Sequence, residues 1–331
     1  MATPHYLMTD PAHFEVSYQI NPWMDPVLWR ADASACARAA AGSDALRHAI
    51  EAAGGKVEMI PAEAGLPDLV FPANAATVLD GRALMARFAH PERRGEEAPF
   101  LTAFHALRDR GVLHEVAELP PGVIHEGAGD ALWDRARGWF WGGHGQRSTL
   151  AGLKAHADFF GQEVVALELA TPHFYHLDTC MRPLDGGHIL YYPPAFTDRA
   201  LMTLRERVAP DLLIETDRAA AEALCVNAVN LGDTVIMAKA PPSLRTALAA
   251  RGYRLVEVDL SPFIMSGGAA FCMSLRLDLT SHPQAALAAA ECGLPCPTTP
   301  FSTAPSSRPR RTISPPRRGW ARATTSRSTW C

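Results

Sequence analysis

The strongest constraint on the fold of this chain is an internal repeat. Five times, an amphipathic segment rich in Ala and Leu ends near Gly or Pro and gives way to a short run of Val, Leu and Ile. The five runs are Val57 to Ile60, Leu113 to Leu119, Val164 to Leu169, Leu212 to Ile214 and Leu255 to Leu260. They recur roughly every 50 residues, which is typical of a repeated supersecondary unit. The sequence therefore predicts five similar modules, each built from a helix and a strand.

A second element recurs between successive helices. It is a pair of apolar runs separated by a turn signal, a pattern typical of β-hairpins. The turn signals are Asp80-Gly81, Gly186-Gly187 and Gly232-Asp233. The stretch from Trp133 to Trp141 takes the same place in its module with weaker turn residues. Most modules are thus predicted to contain a hairpin as well as a single strand.

This combination does not fit a doubly wound α/β sheet, in which helices alternate with single parallel strands at shorter intervals. It predicts an α/β ring of small modules about a pseudo-fivefold axis. The N-terminal strand, His5 to Met8, is expected to pair with the last module and close the ring, because closure protects sheet edges. Loops facing the axis would then bring residues that are distant in sequence into one central pocket.

The C-terminal segment has a different composition from the rest of the chain. The 331 residues carry a formal net charge of -4, yet after Glu291 there are seven arginines and no acidic residue, among frequent Pro, Ser and Thr. We predict that residues 1–279 form the catalytic domain and that residues 280–331 form a disordered, solvated tail. The basic charge is not interleaved with aromatic residues, which argues against a nucleic-acid partner.

The sequence also bears on cellular location. It contains no stretch of eighteen apolar residues and no charged-then-apolar N-terminal signal, so we expect a cytoplasmic protein without a membrane partner. Seven cysteines at wide, irregular spacing fit reduced thiols better than a disulfide framework. One of these thiols is therefore a candidate catalytic group.

Two residues are candidates for covalent chemistry. Cys272 follows paired glycines that allow close approach of other backbone, and a thiolate is a strong carbon nucleophile near neutral pH. On spacing alone, a single cysteine before an apolar strand is more often a small core residue. His176 is a candidate acid and base partner for Cys272, because an imidazole side chain exchanges protons near neutral pH. Alternatively, His173 and His176 are two metal ligands, although no H-E-x-x-H or C-x-x-C pattern supports a metal.

Four short motifs occur in a fixed order: F-x-x-N ending at Asn74, E-G-x-G-D starting at Glu126, H-L-D-T starting at His176, and G-G-x-x-x-C-M around Cys272. As a set they resemble the guanidino-group-modifying enzymes of the pentein superfamily. That superfamily includes dimethylargininase, arginine deiminase and the arginine dihydrolases. The resemblance covers roughly residues 5 to 279 and implies a five-bladed α/β-propeller.

The resemblance also implies roles for individual residues. It makes Cys272 the covalent nucleophile, His176 the general acid and base, and Glu126 the acid that orients His176 or the substrate. It assigns Asp178 to the guanidinium nitrogens, and two arginines to the substrate carboxylate. The substrate-binding residues that it implies are Asn74, Asp178, Arg93, Arg147, Asn21 and Asp130.

One position separates the subfamilies. Dimethylargininase and arginine deiminase have Asp where this chain has Asn74, whereas the arginine dihydrolases have Asn there and share the I-N-P-W-M stretch found at Ile20 to Met24. We therefore expect hydrolysis of arginine to ornithine, ammonia and carbon dioxide, with no metal or organic cofactor required. The alternatives are hydrolysis that stops at citrulline, as in a dimethylargininase or arginine deiminase, or amidino transfer to an amine. The expected partner is a small guanidino substrate, and a homo-oligomer is left open.

Overall fold

The computed structural model describes residues 3–281, so the predicted tail falls almost entirely outside the described residues. Within this range the strands form five three-stranded mixed sheets. Four sheets share one plan, in which an antiparallel hairpin is extended by a parallel third strand on its second strand. The five strands and the hairpins predicted from the repeat are confirmed.

The sheets are best followed in chain order. Their strands are β1 (His5–Thr9), β2 (Lys56–Ile60), β3 (Ala76–Leu79), β4 (Arg82–Met85), β5 (Glu115–Glu118), β6 (Ala131–Asp134), β7 (Trp139–His144), β8 (Val164–Glu168), β9 (Met181–Pro183), β10 (Ile189–Tyr191), β11 (Leu213–Glu215), β12 (Val229–Leu231), β13 (Thr234–Met237), β14 (Arg254–Glu257) and β15 (Leu275–Arg276).

Nine α-helices lie between these strands within residues 3–281. They are α1 (Pro26–Ala31), α2 (Ala35–Ala52), α3 (Pro91–Arg94), α4 (Glu97–Asp109), α5 (Leu150–Phe160), α6 (Asp198–Arg207), α7 (Arg218–Glu222), α8 (Pro242–Ala249) and α9 (Ser261–Ile264). None of these helices is long and apolar enough to cross a membrane.

The fifth sheet closes the ring. Strand β1 pairs in parallel with β2 over five residue pairs and antiparallel with β15 on its other edge. The two ends of the described chain thus build one sheet, with β15 and β1 taking the place of the hairpin found in the other four. This confirms the predicted pairing of the N-terminal strand with the last module.

The hairpin between β3 and β4 shows how local chemistry sets the sheet plan. Asp80 and Gly81 both have positive φ angles, 52° and 68°. A two-residue turn with this conformation matches the twist of the flanking strands, and Asp-Gly is a favoured pair for it. The strand predicted from Leu113 to Leu119 is shorter in the structure, where β5 spans Glu115–Glu118. Leu113 and Leu119 lie outside it and are buried in the core.

Candidate active site

Each sheet contributes a loop that ends just before its first strand. Residues 72–74 precede β3, residues 127–129 precede β6, and residues 177–179 precede β9. The other two loops precede β12 and β15, and they carry Asn227 and Cys272. The repeat therefore places one polar or reactive segment at the same end of every sheet.

Cys272 is held by two neighbours from other loops. Its Sγ lies 3.1 Å from Oδ2 of Asp178, and Nδ2 of Asn227 donates to Sγ over 3.0 Å. Oδ1 of Asn227 accepts three backbone N–H groups, from Ala269, Phe271 and Cys272 itself. The Asn227 amide therefore fixes both the thiol and the backbone of the loop that carries it.

The thiol of Cys272 rests in its neutral form. Burial raises the pKa of Cys272 well above 9, and the adjacent Asp178 carboxyl raises it further. Burial also raises the pKa of Asp178 to about 7, although hydrogen bonds with Cys272 and Asn227 oppose this rise. The other Asp178 oxygen, Oδ1, is buried and has no hydrogen-bond partner within residues 3–281. A cation that binds at Oδ1 would stabilise both anionic forms.

The Asp178 pKa predicts a pH dependence of stability. Because burial raises this pKa from 3.8 to about 7, the folded protein keeps a proton over that interval that the unfolded chain releases. The free energy of unfolding should therefore lose this contribution as the pH rises from about 4 to 7. Asp178→Asn cannot ionise, so its melting temperature, measured between pH 4 and 8, should fall less steeply than that of the wild type. Parallel curves for the two proteins would contradict the assignment.

His176 lies in a buried network of charged side chains. Its Nε2 lies 2.7 Å from Oε2 of Glu126, and Nη1 of Arg147 donates to the same oxygen over 3.1 Å. Burial alone would raise the pKa of Glu126, but Arg147 and His176 more than offset that effect and hold it below its ordinary value. Glu126 is therefore a carboxylate that accepts a hydrogen bond from Nε2, which leaves Nδ1 of neutral His176 as a base.

Asp130 lies next to this network and is fully buried. Its Oδ1 accepts the backbone N–H of Leu177, and its Oδ2 accepts the hydroxyl of Ser148 over 2.6 Å. Burial raises the pKa of Asp130 to about 6. Both oxygens are thus engaged by the protein, and the structure shows Asp130 anchoring the loop after His176.

Asn74 is positioned by Arg93. Nη1 of Arg93 donates to Oδ1 of Asn74 over 2.9 Å, and Nδ2 of Asn74 lies 3.5 Å from Nδ1 of His176. The hydrogen bond from Arg93 identifies the amide oxygen, because guanidinium nitrogens only donate. The N–H₂ group of Asn74 therefore faces His176. Arg93 is itself bound through two nitrogens to Glu96.

A small cavity of about 10 Å³, within about 190 Å³ of space that includes open solvent, adjoins these groups. It is lined by Ile20, Asn21, Asp68, Phe71, Arg93, Arg147, Tyr175 and Ser266. Three of the sequence-predicted binding residues, Asn21, Arg93 and Arg147, therefore meet at one cavity. Two arginines and one carboxylate give it the charge pattern that an amino-acid zwitterion requires.

Sequence comparison identifies the family of this chain. The family model described as N,N dimethylarginine dimethylhydrolase, eukaryotic, matches residues 10–279. The chain belongs to this dimethylargininase family. As a family member it has the pentein fold, which the crystal structure of the N-terminal domain of ArgZ bound to product also shows. That structure superposes with a TM-score of 0.80 at 38% identity, covering 85% of this chain and 100% of the other.

Two relatives of this chain are named for different activities. The bifunctional arginine dihydrolase/ornithine cyclodeaminase ArgZ of Synechocystis sp. is 40% identical over 271 residues, which cover 82% of this chain and 37% of ArgZ. The N(G),N(G)-dimethylarginine dimethylaminohydrolase of Mycobacterium tuberculosis is 36% identical over 284 residues, covering 85% and 87%. This chain therefore spans little more than a third of the length of ArgZ.

Two residues of the candidate site are not marked by the sequence motifs. Asp68 accepts the hydroxyls of Tyr18 and Ser266 and lines the cavity. It lies in a segment that stands out by composition, but no spacing marks it. Asn227 belongs to the module whose hairpin begins with β12, and none of the four motifs lies in that module. The phase of the repeat is the signal that locates it, because it precedes β12 as Asn74 precedes β3.

His173 does not pair with His176 in this family member. Its ring stacks on Trp23, with centroids 4.4 Å apart, and its carbonyl accepts the indole N–H of Trp23. His176 instead contacts Glu126 and Asn74. Within residues 3–281 there is no cluster of three or more His, Cys, Asp or Glu side chains arranged to hold a metal ion.

Proposed function

We propose that this protein is an arginine dihydrolase that converts L-arginine to ornithine, two molecules of ammonia and carbon dioxide. Cys272 attacks the guanidino carbon, and His176 transfers protons. The observation that carries the proposal is the orientation of the Asn74 amide, whose N–H₂ group faces His176 because Arg93 holds its oxygen. The similarity to ArgZ, named an arginine dihydrolase, supports the same activity.

The amide of Asn74 suits a neutral ureido group better than a carboxylate does. A ureido oxygen only accepts hydrogen bonds, and an Asn N–H can donate to it. An Asp carboxylate at position 74 has no N–H to donate, and its charge favours a cationic guanidinium instead. Since citrulline carries a ureido group, Asn74 retains the intermediate for a second round of hydrolysis.

The amino-acid end of the substrate is assigned to the small cavity lined by Arg93, Arg147 and Asp68. A guanidinium has five N–H donors. Arg93 uses four of them on Glu96, Asn74 and the Asp68 carbonyl, whereas Arg147 uses two, on Glu126 and Ile20. Arg147 therefore has more donors left for the substrate carboxylate and is its principal anchor.

Two buried carboxylates are assigned to the two positive charges of the substrate, one to each. Asp68 lines the cavity that holds the carboxylate anchor, so it is assigned to the substrate ammonium. Asp178 offers its unpaired Oδ1 to the guanidinium. A positive charge close to a cysteine stabilises the thiolate and so lowers the pKa of the thiol. Binding of the guanidinium beside Asp178 therefore opposes the raised pKa of Cys272 and favours the thiolate.

The first round forms and breaks one covalent bond to sulfur. Neutral His176 takes the proton of the Cys272 thiol, and the resulting thiolate attacks the guanidino carbon. Protonated His176 then gives this proton to the departing ammonia, leaving an amidino-thioether. Neutral His176 then takes a proton from water, whose oxygen attacks the same carbon and expels the thiolate. The product is citrulline. This covalent route splits one difficult hydrolysis into two easier steps.

The second round repeats the sequence on the ureido carbon. The thiolate displaces the second ammonia and forms an S-carbamoyl group that still carries the ornithine nitrogen. Water then releases a carbamate, which decomposes to ornithine and carbon dioxide. Two waters are consumed per arginine, and the cysteine is regenerated in each round.

Replacing Asn74 by Asp is expected to shift the products from ornithine towards citrulline. The carboxylate keeps the contact with Arg93, so the loop should stay in place, but it cannot donate to a ureido oxygen. Losing a hydrogen bond to a neutral group costs about 1 kcal/mol, which corresponds to a change of roughly fivefold in the product ratio. The ratio of ornithine to citrulline, measured by chromatography, checks this. An unchanged ratio would remove Asn74 from the choice of product.

The substrate itself is tested by direct competition. Equal concentrations of L-arginine and N(G),N(G)-dimethyl-L-arginine are supplied to the purified protein, and ammonia and dimethylamine are measured separately. Preferential release of ammonia supports the proposal. Preferential release of dimethylamine would replace it by the dimethylargininase alternative, which the family model and the mycobacterial relative favour. A guanidino product formed only with an added amine would indicate an amidinotransferase.

A further inference from the structure

A second, larger cavity lies between strands of four of the five sheets. Side chains from β3, β6 and β9 line it together with side chains from β1 and β15. The enclosed cavity is about 40 Å³, within about 620 Å³ of space that includes open solvent. Ala128 and Phe271 also line it, so it borders the loops that carry Glu126 and Cys272. The proposed reaction uses none of its polar side chains.

The wall of this second cavity carries unpaired hydrogen-bond donors. The hydroxyls of Tyr6 and Thr77 and the indole N–H of Trp133 are buried, and none of them has a hydrogen-bond partner within residues 3–281. The three side chains are 2%, 3% and 9% exposed. Burial of an unpaired polar group costs stability, and an indole N–H can only donate. A ligand with acceptor oxygens would satisfy these groups.

The second cavity also holds a cation without a counter-charge. Among its charged side chains, Arg135 pairs with Asp185 over 3.1 Å, and Arg276 pairs with Asp278 over 3.0 Å. Arg182 forms no ion pair within the described part of the chain, and its Nε–H is buried without a partner. Burial lowers the pKa of Arg182 below its ordinary value, although its guanidinium remains charged.

The Arg182 guanidinium packs against an aromatic ring. Its guanidinium carbon lies 4.3 Å from the centroid of the Phe271 ring, a cation–π contact that restrains the group. A fixed guanidinium fork matches two oxygens of a carboxylate or phosphate. The Trp133 N–H and the two hydroxyls supply further donors along the same wall.

We propose that this second cavity binds a small oxyanion, a phosphate or a carboxylate, with Arg182 as its charged partner. The site is separate from the cavity proposed for the arginine carboxylate, because the two share no lining residue. It does not depend on which guanidino substrate the enzyme uses. The occupant is expected to be small, because the free space is bounded by apolar side chains such as Leu275.

The full-length protein is titrated calorimetrically with sodium phosphate and, separately, with sodium succinate, at an ionic strength kept constant with chloride. We expect saturable binding of one anion per chain for at least one probe, with a matching rise in melting temperature. Arg182→Met should weaken binding by about tenfold to a hundredfold, the range for lost hydrogen bonds to a charged group. Arg251→Met removes an exposed arginine outside the cavity and should leave the affinity unchanged.

Two results would overturn the proposal. One is the absence of saturable binding of either probe by the wild type, which would mean that the cavity holds only water. The other is undiminished affinity in Arg182→Met. If the affinity is then lost in Arg147→Met, the anion occupies the candidate active site instead. If Arg182→Met does not fold, Thr77→Val decides: it keeps the charge and shape, and it should weaken binding about fivefold.

Discussion

Cys272→Ser is expected to abolish turnover while leaving the fold intact. The substitution is nearly isosteric, and the serine hydroxyl can still accept from Asn227 and donate to Asp178, so the loop contacts survive. A hydroxyl is far less acidic than a thiol, so it does not form the anion that attacks the guanidino carbon. The loss should exceed about a thousandfold in kcat, because the residues of a covalent site act as a unit. Steady-state ammonia release measures it.

The matched control for this variant is Cys36→Ser. Cys36 is an exposed thiol outside the loops of the site, so its replacement should change neither activity nor melting temperature. If Cys272→Ser keeps most of the wild-type rate, the covalent mechanism is wrong. A large drop in its melting temperature would show that folding, and not chemistry, had been lost.

His176→Ala is expected to reduce kcat by about a hundredfold or more. His176 supplies the proton for the leaving ammonia and removes one from the attacking water, so both halves of each round slow down. Rapid quenching followed by intact-mass measurement should show whether the amidino-thioether on Cys272 accumulates or fails to form. His48→Ala, at an exposed position, is the control. A normal rate in His176→Ala would exclude this residue as the acid and base.

The sheet plan was predictable because the information is local and repeated. Hairpin signals such as Asp80-Gly81 and the apolar third strands recur in successive modules, and the structure confirms them. The last sheet is completed by β15, which has only two residues. The sequence shows no such strand because its pairing with β1 depends on ring closure and not on local propensity.

The candidate site was only partly predictable. The four motifs identify Cys272, His176 and Glu126 as a group, and the structure brings the last two into contact at 2.7 Å. The role of Asn227 as a multiple hydrogen-bond partner of the Cys272 loop was not visible, because those contacts join loops 45 residues apart. The orientation of the Asn74 amide likewise depends on Arg93 in another loop.

The fate of the guanidino carbon tests the central proposal most directly. The purified protein is incubated with L-arginine labelled with carbon-13 at the guanidino carbon, and the products are followed by carbon NMR and mass spectrometry. The proposed two-round reaction predicts labelled carbon dioxide or bicarbonate, unlabelled ornithine and two ammonia molecules for each label released. Label that remains in citrulline, or that moves to an amine acceptor, would contradict it.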